Sequence, residues 1–355
     1  MILTGLLLVA SALFAFEVLS RKPLMPLPST THSSLSRTDC LRCHGPIADE
    51  WRESYHYKSV TGPYWKDVRE LGYLRIFDTL RKPCLNCHAP ANVLDVIDRS
   101  LSSSSSGRLG VECSPNVFRN PRGVIPAVRA DGVELGVDCT ACHVSARGIM
   151  GSGRLVSPDH EVVADARFQN SEFTTATLCR VCHGSIVEAW KGTSLVAGGG
   201  TCLDCHMPTV LAPSVTGGTN RVRRSHRFPA DKDRSMLQKA LRASLEIGAD
   251  RNARFRIRNT GTGHYLPSGG NWLSVRLEAR DTSGRLQTAK TEAYGREEAL
   301  LLDFWPFNAD TRIAYGGQKE VLFPLPKGRG TLSAVVRYHD WIATKAVIVS
   351  LEKSY

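Results

Sequence analysis

The sequence predicts an α+β fold, in which a mostly helical and loop-rich domain is followed by a small β-sandwich. Two observations lead to this prediction. Five copies of one short cysteine motif lie between residues 40 and 206, which leaves too few residues around each copy for a conventional side-chain core. From about residue 240 the motif no longer occurs, and apolar residues alternate with polar ones as they do in strands.

The motif contains ten of the eleven cysteines, and each copy has two cysteines, separated by two residues, followed directly by a histidine. The cysteines are Cys40, Cys43, Cys84, Cys87, Cys139, Cys142, Cys179, Cys182, Cys202 and Cys205, and the histidines are His44, His88, His143, His183 and His206. Two thiols at this spacing can bond to both vinyl groups of one haem, and the next residue then lies beneath the iron. We therefore predict five covalently attached c-type haems, with these histidines as proximal metal ligands.

Zinc is the competing interpretation, because paired cysteines also form half of many zinc sites. Zinc sites, however, do not require a histidine directly after the second cysteine. Haem also explains the low aromatic content of 7%, since five haems replace part of an aromatic core. A haem with ionised propionates has a net charge of −1 when its iron is ferric and −2 when it is ferrous. Five haems would therefore change the net charge of the chain from +11 to roughly +6 when oxidised and roughly +1 when reduced, so the basic excess does not indicate nucleic-acid binding.

Each haem iron has a second axial position, and six histidines lie outside the motifs. We expect four or five of them to be distal metal ligands. The candidates are His56, His160, His226 and His264, with His32 as the fifth and His339 left out. The sequence does not pair a given histidine with a given haem.

Local context separates these candidates. His56 is expected on a helix that begins at the first motif and continues through Trp51 and Ser54, which would carry it towards another haem. His226 follows an arginine-rich stretch, residues 221–224, which could bind haem propionates. A solvated basic surface or a docking face for an acidic partner is the alternative for these arginines.

An internal repeat relates the first and fourth motifs. In each copy a tryptophan, Trp51 or Trp190, stands seven residues after the haem histidine. The same register leads to His56 in the first copy and to Leu195 in the second. The second copy therefore lacks this ligand, and its haem must take a distal ligand from elsewhere or stay open. The fourth and fifth motifs begin only 23 residues apart, which predicts that their haems are close neighbours.

Three segments are predicted along the chain. Residues 1–22 hold an apolar run with Arg21 and Lys22 after it, which indicates a signal peptide for the Sec route or an uncleaved N-terminal anchor. Residues 30–230 form the pentahaem domain, and a helix over Asp231–Arg242 connects it to the β-sandwich of residues 240–355. The expected strands are Ala253–Asn259, Trp272–Asp281, Glu320–Leu325, Leu332–Tyr338 and Ala346–Leu351.

The first motif, followed by Trp51, Ser54 and His56, resembles the multihaem cytochromes related to hydroxylamine oxidoreductase and its tetrahaem electron acceptor. The fifth motif with Met207 and Pro208, followed by His226-Arg-Phe228, resembles the same class. So does the stretch Gly263-His264-Tyr-Leu-Pro267 at the start of a C-terminal β-domain. The resemblance implies that His56, His226 and His264 are distal ligands, with His160 a less certain fourth, and that the β-domain contributes a haem ligand.

The sequence departs from that class in two places. Ala230 stands where a glycine is expected after the His-x-Phe pattern, and the chain has no Cys-x-x-Cys-Lys unit. Related pentahaem nitrite reductases typically use that unit at the catalytic haem, so the resemblance does not imply nitrite reduction.

The predicted function is electron transfer outside the cytoplasm, in the periplasm or at the cell surface, through closely packed and mainly bis-histidine haems. Its partners would be redox proteins. One alternative is an enzyme that acts on a small nitrogen or sulfur compound at one open haem. Another is a homo-oligomer, a conducting filament whose protomers share His32 and His339 as ligands. Cys113, the one cysteine outside the motifs, is interpreted as a buried free thiol, with an intermolecular disulfide or an unusual iron ligand as alternatives.

Overall fold

The computed structural model describes residues 37–61, 87–88, 90, 93–94, 136–145, 147–157, 160–168, 172–231, 233–269, 271–296, 310–339 and 344–355. The predicted signal or anchor over residues 1–22 lies outside these ranges, as do His32, Cys84 and Cys113. None of the helices within these ranges has the length and apolar character needed to cross a bilayer.

The first motif lies at the junction of two short helices, α1 (Arg37–Cys43) and α2 (Gly45–Glu53). His44 between them leaves helical geometry, with φ −92° and ψ 40°, and a proline in the first turn of α2 restarts the helix. The expected continuation of this helix to His56 is wrong, because the helix ends at Glu53. The Ser54 hydroxyl donates to the Trp51 carbonyl and accepts the Tyr57 N–H, which turns the chain instead.

The third motif forms α3 (Cys139–His143), and Asp138 caps its N-terminus by accepting the backbone N–H groups of Thr140 and Ala141. A small four-stranded sheet follows, in the order β1-β2-β4-β3. Its strands are β1 (Val144–Ser145), β2 (Gly148–Gly151), β3 (Leu155–Val156) and β4 (Glu161–Ala164).

The fourth and fifth motifs lie on consecutive helices. These are α4 (Glu172–Lys191), α5 (Ser194–Ala197) and α6 (Cys202–His206). His183 interrupts α4 with φ −108° and ψ 38°, which is close to the geometry of His44 in the first copy of the repeat. A two-stranded hairpin, β5 (Thr209–Pro213) and β6 (Asn220–Arg224), then leads to His226.

The connecting helix α7 (Arg234–Ala240) is shorter than the predicted Asp231–Arg242. The Asp233 carboxylate caps its N-terminus, and Leu241 already has extended backbone as the first residue of the next strand. Apolar and polar residues alternate from Leu241 and Arg242 onwards, which is the sequence pattern of a strand.

Two antiparallel sheets follow α7 and enclose one apolar core. One has the order β11-β8-β7, and the other has the order β10-β9-β12-β13. The strands are β7 (Leu241–Ile247), β8 (Asn252–Asn259), β9 (Trp272–Asp281), β10 (Leu286–Gly295), β11 (Gln318–Pro324), β12 (Gly330–His339) and β13 (Thr344–Ser354). Side chains from both sheets, such as Phe255, Phe323, Leu277 and Leu332, are almost wholly buried in this core. It therefore supports this part of the chain independently of the haem motifs.

Each strand expected from the alternation pattern has an observed counterpart, shifted by at most a few residues at its ends. β7 and β10 were not predicted. Almost all residues of β10 before Tyr294 are exposed, so its sequence does not alternate between apolar and polar residues. It forms the edge of its sheet, paired only to β9 among the described strands.

Candidate haem-binding site

Backbone carbonyls fix the ring orientation of four of the motif histidines. The Nδ1 atom of each lies 2.9 to 3.0 Å from a carbonyl oxygen: His44 with Ser214, His88 with Ser59, His143 with Met150, and His206 with Pro229. A protonated Nδ1 that donates to a carbonyl leaves Nε2 with its lone pair, the form in which histidine binds a metal.

The structure places four motif histidines opposite four of the other histidines, with angles between the ring planes that range from 13° to 69°. The ring centres are 6.0 Å apart for His44 and His160, 6.1 Å for His183 and His56, 6.2 Å for His143 and His226, and 6.4 Å for His206 and His264. None of these pairs is close in sequence. Four of the five distal candidates therefore each stand opposite a different motif.

These separations fit one iron between each pair of rings. A metal–imidazole bond is about 2.0 to 2.1 Å, and the ring centre lies about 1.1 Å behind the nitrogen, which gives about 6.3 Å between two rings on opposite sides of a metal. Imidazoles in direct packing contact would lie closer together, at about 4 to 5 Å. The spacing thus leaves room for a haem plane in all four places.

Burial keeps several of these imidazoles neutral. It lowers the pKa of His56 to about 3, with help from the nearby His183 and His206, and lowers the pKa of His183 to about 4. Burial and the neighbouring His143 also lower the pKa of His226 to about 4. A neutral ring is the state able to coordinate iron, so this environment favours ligation over protonation.

Polar side chains hold two of the opposing histidines, and sequence patterns gave no sign of them. Glu50 on α2 accepts the backbone N–H of His226 at 2.8 Å and forms a two-point ion pair with Arg223. Burial raises the pKa of Glu50, but hydrogen bonds from Arg223 and the His226 N–H outweigh it, and the pKa is lowered overall. Helix α2, which follows the first motif, thus holds the segment of His226, whose ring lies opposite His143 of the third motif.

Asn259 does the same for His264. Its side chain is fully buried, and its amide donates to the carbonyls of His264 and Ile313 at 2.7 and 2.9 Å. Its side-chain oxygen accepts the Thr262 hydroxyl at 2.9 Å. The ligand loop is therefore fastened to the core of the C-terminal sheets.

The arginines before His226 are bound to protein groups. Arg223 pairs with Glu50 while both side chains are nearly buried, and Arg224 pairs with Asp204 at 3.2 Å. Arg224 also donates to the carbonyls of Leu203 and Met207. Glu50 already holds the guanidinium of Arg223, and propionate binding by this stretch stays a prediction.

Two buried donor atoms without a partner in the described part of the chain could meet a haem carboxylate, although Nη2 of Arg180 also pairs with Glu188 at 2.8 Å. They are Nε of Arg180 and Nε1 of Trp190, both on α4. A buried donor left without an acceptor costs about 1 to 3 kcal/mol, so such groups usually have a partner. A propionate oxygen is an acceptor of the required kind.

Thiol contacts show which motifs are neighbours. The Cys139 thiol is hydrogen-bonded to Cys40, which places the third motif beside the first. The Cys179 thiol is hydrogen-bonded to Cys202, so the fourth motif lies beside the fifth, as their short spacing predicted. Cys142 lies close enough to Cys182 to raise its pKa, which connects the third motif to the fourth.

The second motif is described only in part. Cys87 is disulfide-bonded. The His88 ring is close enough to His183 to lower its pKa, so the second motif lies near the fourth.

His339 is not near any motif histidine in the described structure. Its ring stacks on Trp272 with centres 3.7 Å apart, and its Nε2 lies 2.7 Å from the Ser274 hydroxyl. The ring is buried inside the C-terminal sheets, which argues against sharing it as a ligand between protomers. Among described side chains, no three His, Cys, Asp or Glu residues converge as a site for a free metal ion.

Comparison with known proteins agrees with the motifs. The family described as cytochrome c554 and c-prime matches residues 39–144. A solved structure of a penta-heme cytochrome c552 from Thermochromatium tepidum aligns with a TM-score of 0.57 and 19% identity, covering 90% of this chain and 99% of that one. Superoxide reductase from Nanoarchaeum equitans aligns with 34% of this chain and 94% of its own at 12% identity, but its TM-score of 0.21 is too low to carry an argument.

No curated protein sequence matches the chain. At 19% identity the penta-heme protein indicates a shared fold, and the family match covers only the region around the first three motifs. Together with five Cys-x-x-Cys-His units, these findings show that the chain is similar to multihaem cytochromes c, in sequence over residues 39–144 and in fold over most of its length.

Proposed function

We propose that this chain carries five c-type haems and transfers electrons among them, with both axial positions of at least four irons occupied by histidine. The observation that supports this most directly is the set of four histidine pairs whose ring centres are 6.0 to 6.4 Å apart. Bis-histidine iron has no open position for a substrate, so it exchanges electrons rather than atoms.

The proposed ligands follow from the pairs. His44 and His160 would hold haem 1, His143 and His226 haem 3, His183 and His56 haem 4, and His206 and His264 haem 5. His88 would hold haem 2, for which His32 is the sequence candidate on the other side. When bound, each haem supplies a one-electron couple between ferric and ferrous iron.

The protein's own groups prepare this chemistry. Carbonyls that accept Nδ1–H raise the basicity of the ligand rings and fix their orientation, which stabilises ferric iron. Burial keeps water away from the interior motifs, and the thiol contacts order the haems as 1, 3, 4 and 5, with haem 2 beside haem 4. The most exposed described motif cysteines are Cys43 and Cys205, so electrons would enter and leave near haems 1 and 5.

We also propose the division into a pentahaem domain (30–230) and a β-sandwich (240–355) that supplies the haem 5 ligand. Location outside the cytoplasm follows from haem attachment of this type and from the apolar run in residues 1–22. The enzyme alternative depended on Leu195, which stands in the second copy where the first copy has His56. It is not needed to explain the fourth motif, because the His183 ring of that motif lies opposite His56.

The first test combines haem quantification with low-temperature EPR of the ferric protein. We expect five haems per chain and low-spin signals from haems 1, 3, 4 and 5. His226→Ala should convert one haem to high spin, whereas His339→Ala, a matched buried histidine held by Ser274, should convert none. Fewer than four low-spin haems in the unaltered protein, or a high-spin haem in His339→Ala, would contradict the proposal.

A further inference from the structure

The turn that carries His56 contacts several motifs at once. It follows α2 and spans residues 54–59. The His56 carbonyl accepts the N–H of Val137 at 2.9 Å, and Val137 in turn accepts the Trp51 indole N–H at 2.8 Å. Because Val137 lies two residues before Cys139, the turn is fastened to the chain that leads into the third motif.

Ser59 at the end of this turn contacts two histidines from different haems. Its hydroxyl lies 2.9 Å from the His56 carbonyl and 2.5 Å from the His88 carbonyl. Its own carbonyl lies 3.0 Å from Nδ1 of His88. One residue therefore holds the backbone of both histidines and the ring of one of them.

Gly136 closes the arrangement from the other side. Its φ of +63° is in the left-handed region, and a Cβ there would lie 2.2 Å from the His56 carbonyl oxygen and 2.4 Å from the Ser59 hydroxyl. Only glycine lets the chain pass this close, so the positions of His56 and Ser59 are tightly determined by packing as well as by hydrogen bonds.

We propose that Ser59 is a positioning residue that sets the axial ligands of haems 2 and 4 together, and with them the potentials of both haems. This rests on the ligand assignments of the proposed function. The Ser59 hydroxyl contacts the carbonyls of His56 and His88, so the side chain fixes the main chain from which both rings project, while its main-chain carbonyl meets Nδ1 of His88. The orientation of a ligating ring is one of the properties through which a protein adjusts haem potential.

The pairing matters because haems 2 and 4 are neighbours. Cys87 of the second motif and Val181 of the fourth pack in one buried cluster. The driving force of an electron step is the difference between the two potentials. A residue that contacts both ligands changes that difference only by the amount by which its two effects are unequal, whereas a residue on one ligand shifts one haem against all its neighbours.

The experiment compares Ser59→Ala with a matched serine. The Ser157 hydroxyl donates to the His160 carbonyl at 2.9 Å and accepts the His160 N–H at 3.1 Å, so it holds one ligand only. Both variants and the unaltered holoprotein are titrated potentiometrically with optical and EPR detection. Two midpoint potentials and two sets of g-values should shift in Ser59→Ala, and only one of each in Ser157→Ala. Ser59→Thr, which keeps the hydroxyl, should restore both.

A shift at one haem or none in Ser59→Ala would overturn the proposal, and so would equal shifts at all five. If Ser59→Ala fails to load haem, Ser59→Cys, whose thiol is of similar size and a weaker hydrogen-bond donor, takes its place: it must shift the same number of haems, two, and any other number rejects the idea. The unaltered protein separates this from the proposed function, because its haem count and spin states test the ligand assignments alone.

Discussion

The two copies of the internal repeat have the same local geometry and different uses. In each, a haem histidine breaks the helix at nearly the same angles, His44 with φ −92° and ψ 40°, and His183 with φ −108° and ψ 38°. In the first copy the chain then turns so that His56 faces His183. In the second, Leu195 stands at the matching position and packs beside Trp190 and Gly263.

The difference shows that the local sequence determines the proximal side of each site, while contacts between distant segments determine the distal side. The first copy gives its histidine to the motif of the second copy. The second copy contributes an apolar side chain that supports the loop of His264, and this loop serves the fifth motif from the C-terminal sheets. On the proposed assignment, a loop of the C-terminal sheets supplies the distal ligand near Leu195, where the second copy has none of its own.

The largest effect should come from exchanging the two equivalent residues for alanine. We expect His56→Ala to convert one haem fully to high spin, because haem 4 loses its distal ligand and no other histidine ring faces His183 in the described structure. Leu195→Ala should leave every spin state unchanged. Ferric EPR of both variants checks this, and a new high-spin haem in Leu195→Ala would show that the two positions are still functionally equivalent.

The segment leading to the second copy is held by a buried charge pair. The hydrogen bond from Arg167 lowers the pKa of Asp165 to about 2, although burial opposes it, and both side chains are less than a tenth exposed. Asp165→Asn should reduce the free energy of unfolding by about 3 kcal/mol, because it removes the carboxylate charge that pairs with both Arg167 and Arg147.

The pH dependence gives a second readout for the same pair. The folded pKa is lowered from 3.8, so the stabilisation is fully present above pH 3.8 and is lost as the pH falls through about 2. The difference between the unaltered protein and Asp165→Asn should therefore shrink between pH 4 and pH 2 in denaturant titrations. Glu161→Gln, which removes an exposed ion pair with Arg154, is the control and should change stability by less than about 0.5 kcal/mol.

A smaller effect tests how the second copy supports the His264 loop. Gly263 has φ +66°, and a Cβ there would lie 2.7 Å from a methyl carbon of Leu195. Gly263→Ala should lower the free energy of unfolding by about 1 to 2 kcal/mol because of the left-handed backbone, and by a further amount because its Cβ would collide with Leu195. In a Leu195→Ala background only the first share should remain, so thermal unfolding of the double-mutant cycle should show non-additivity. Strict additivity would mean that the two side chains do not interact.

The smallest expected effect distinguishes the two tryptophans. Trp51→Phe loses the hydrogen bond to the Val137 carbonyl and should lower the free energy of unfolding by about 1 kcal/mol without changing any spin state. Trp190→Phe loses no hydrogen bond to the described protein. Any shift of a haem potential in Trp190→Phe, measured by redox titration, would then report the bond to a haem carboxylate, whereas a stability loss without such a shift would contradict that bond.

Much of the proximal side was predictable, because two cysteines, their spacing and the next histidine are all encoded within five residues. The distal candidates were also predictable as residue types, since few other histidines exist in the chain. Their pairing was not, because His56 and His183, or His206 and His264, meet only through the packing of segments far apart in sequence. The helix thought to carry His56 also ends earlier than expected, where the Ser54 hydroxyl turns the chain.

The supporting residues had no sequence signal at all. Glu50 and Asn259 are ordinary polar residues until packing buries them against the backbone of a ligand segment. Strands with one buried face were found from alternation, while β10, an exposed edge, offered no apolar period. In each case the missing information was tertiary burial, which a local pattern does not contain.

The position of His264 in the C-terminal sheets affects the order in which the protein matures. The chain emerges from its N-terminus, so Cys202 and Cys205 become available for haem attachment before the sheets that hold His264 are complete. On the proposed assignment haem 4 has its distal histidine already synthesised, since His56 precedes it. For haem 5 the distal histidine would come from a loop that Asn259 fixes only once the C-terminal sheets have folded. On this assignment, a chain truncated before the sheets would lack that ligand.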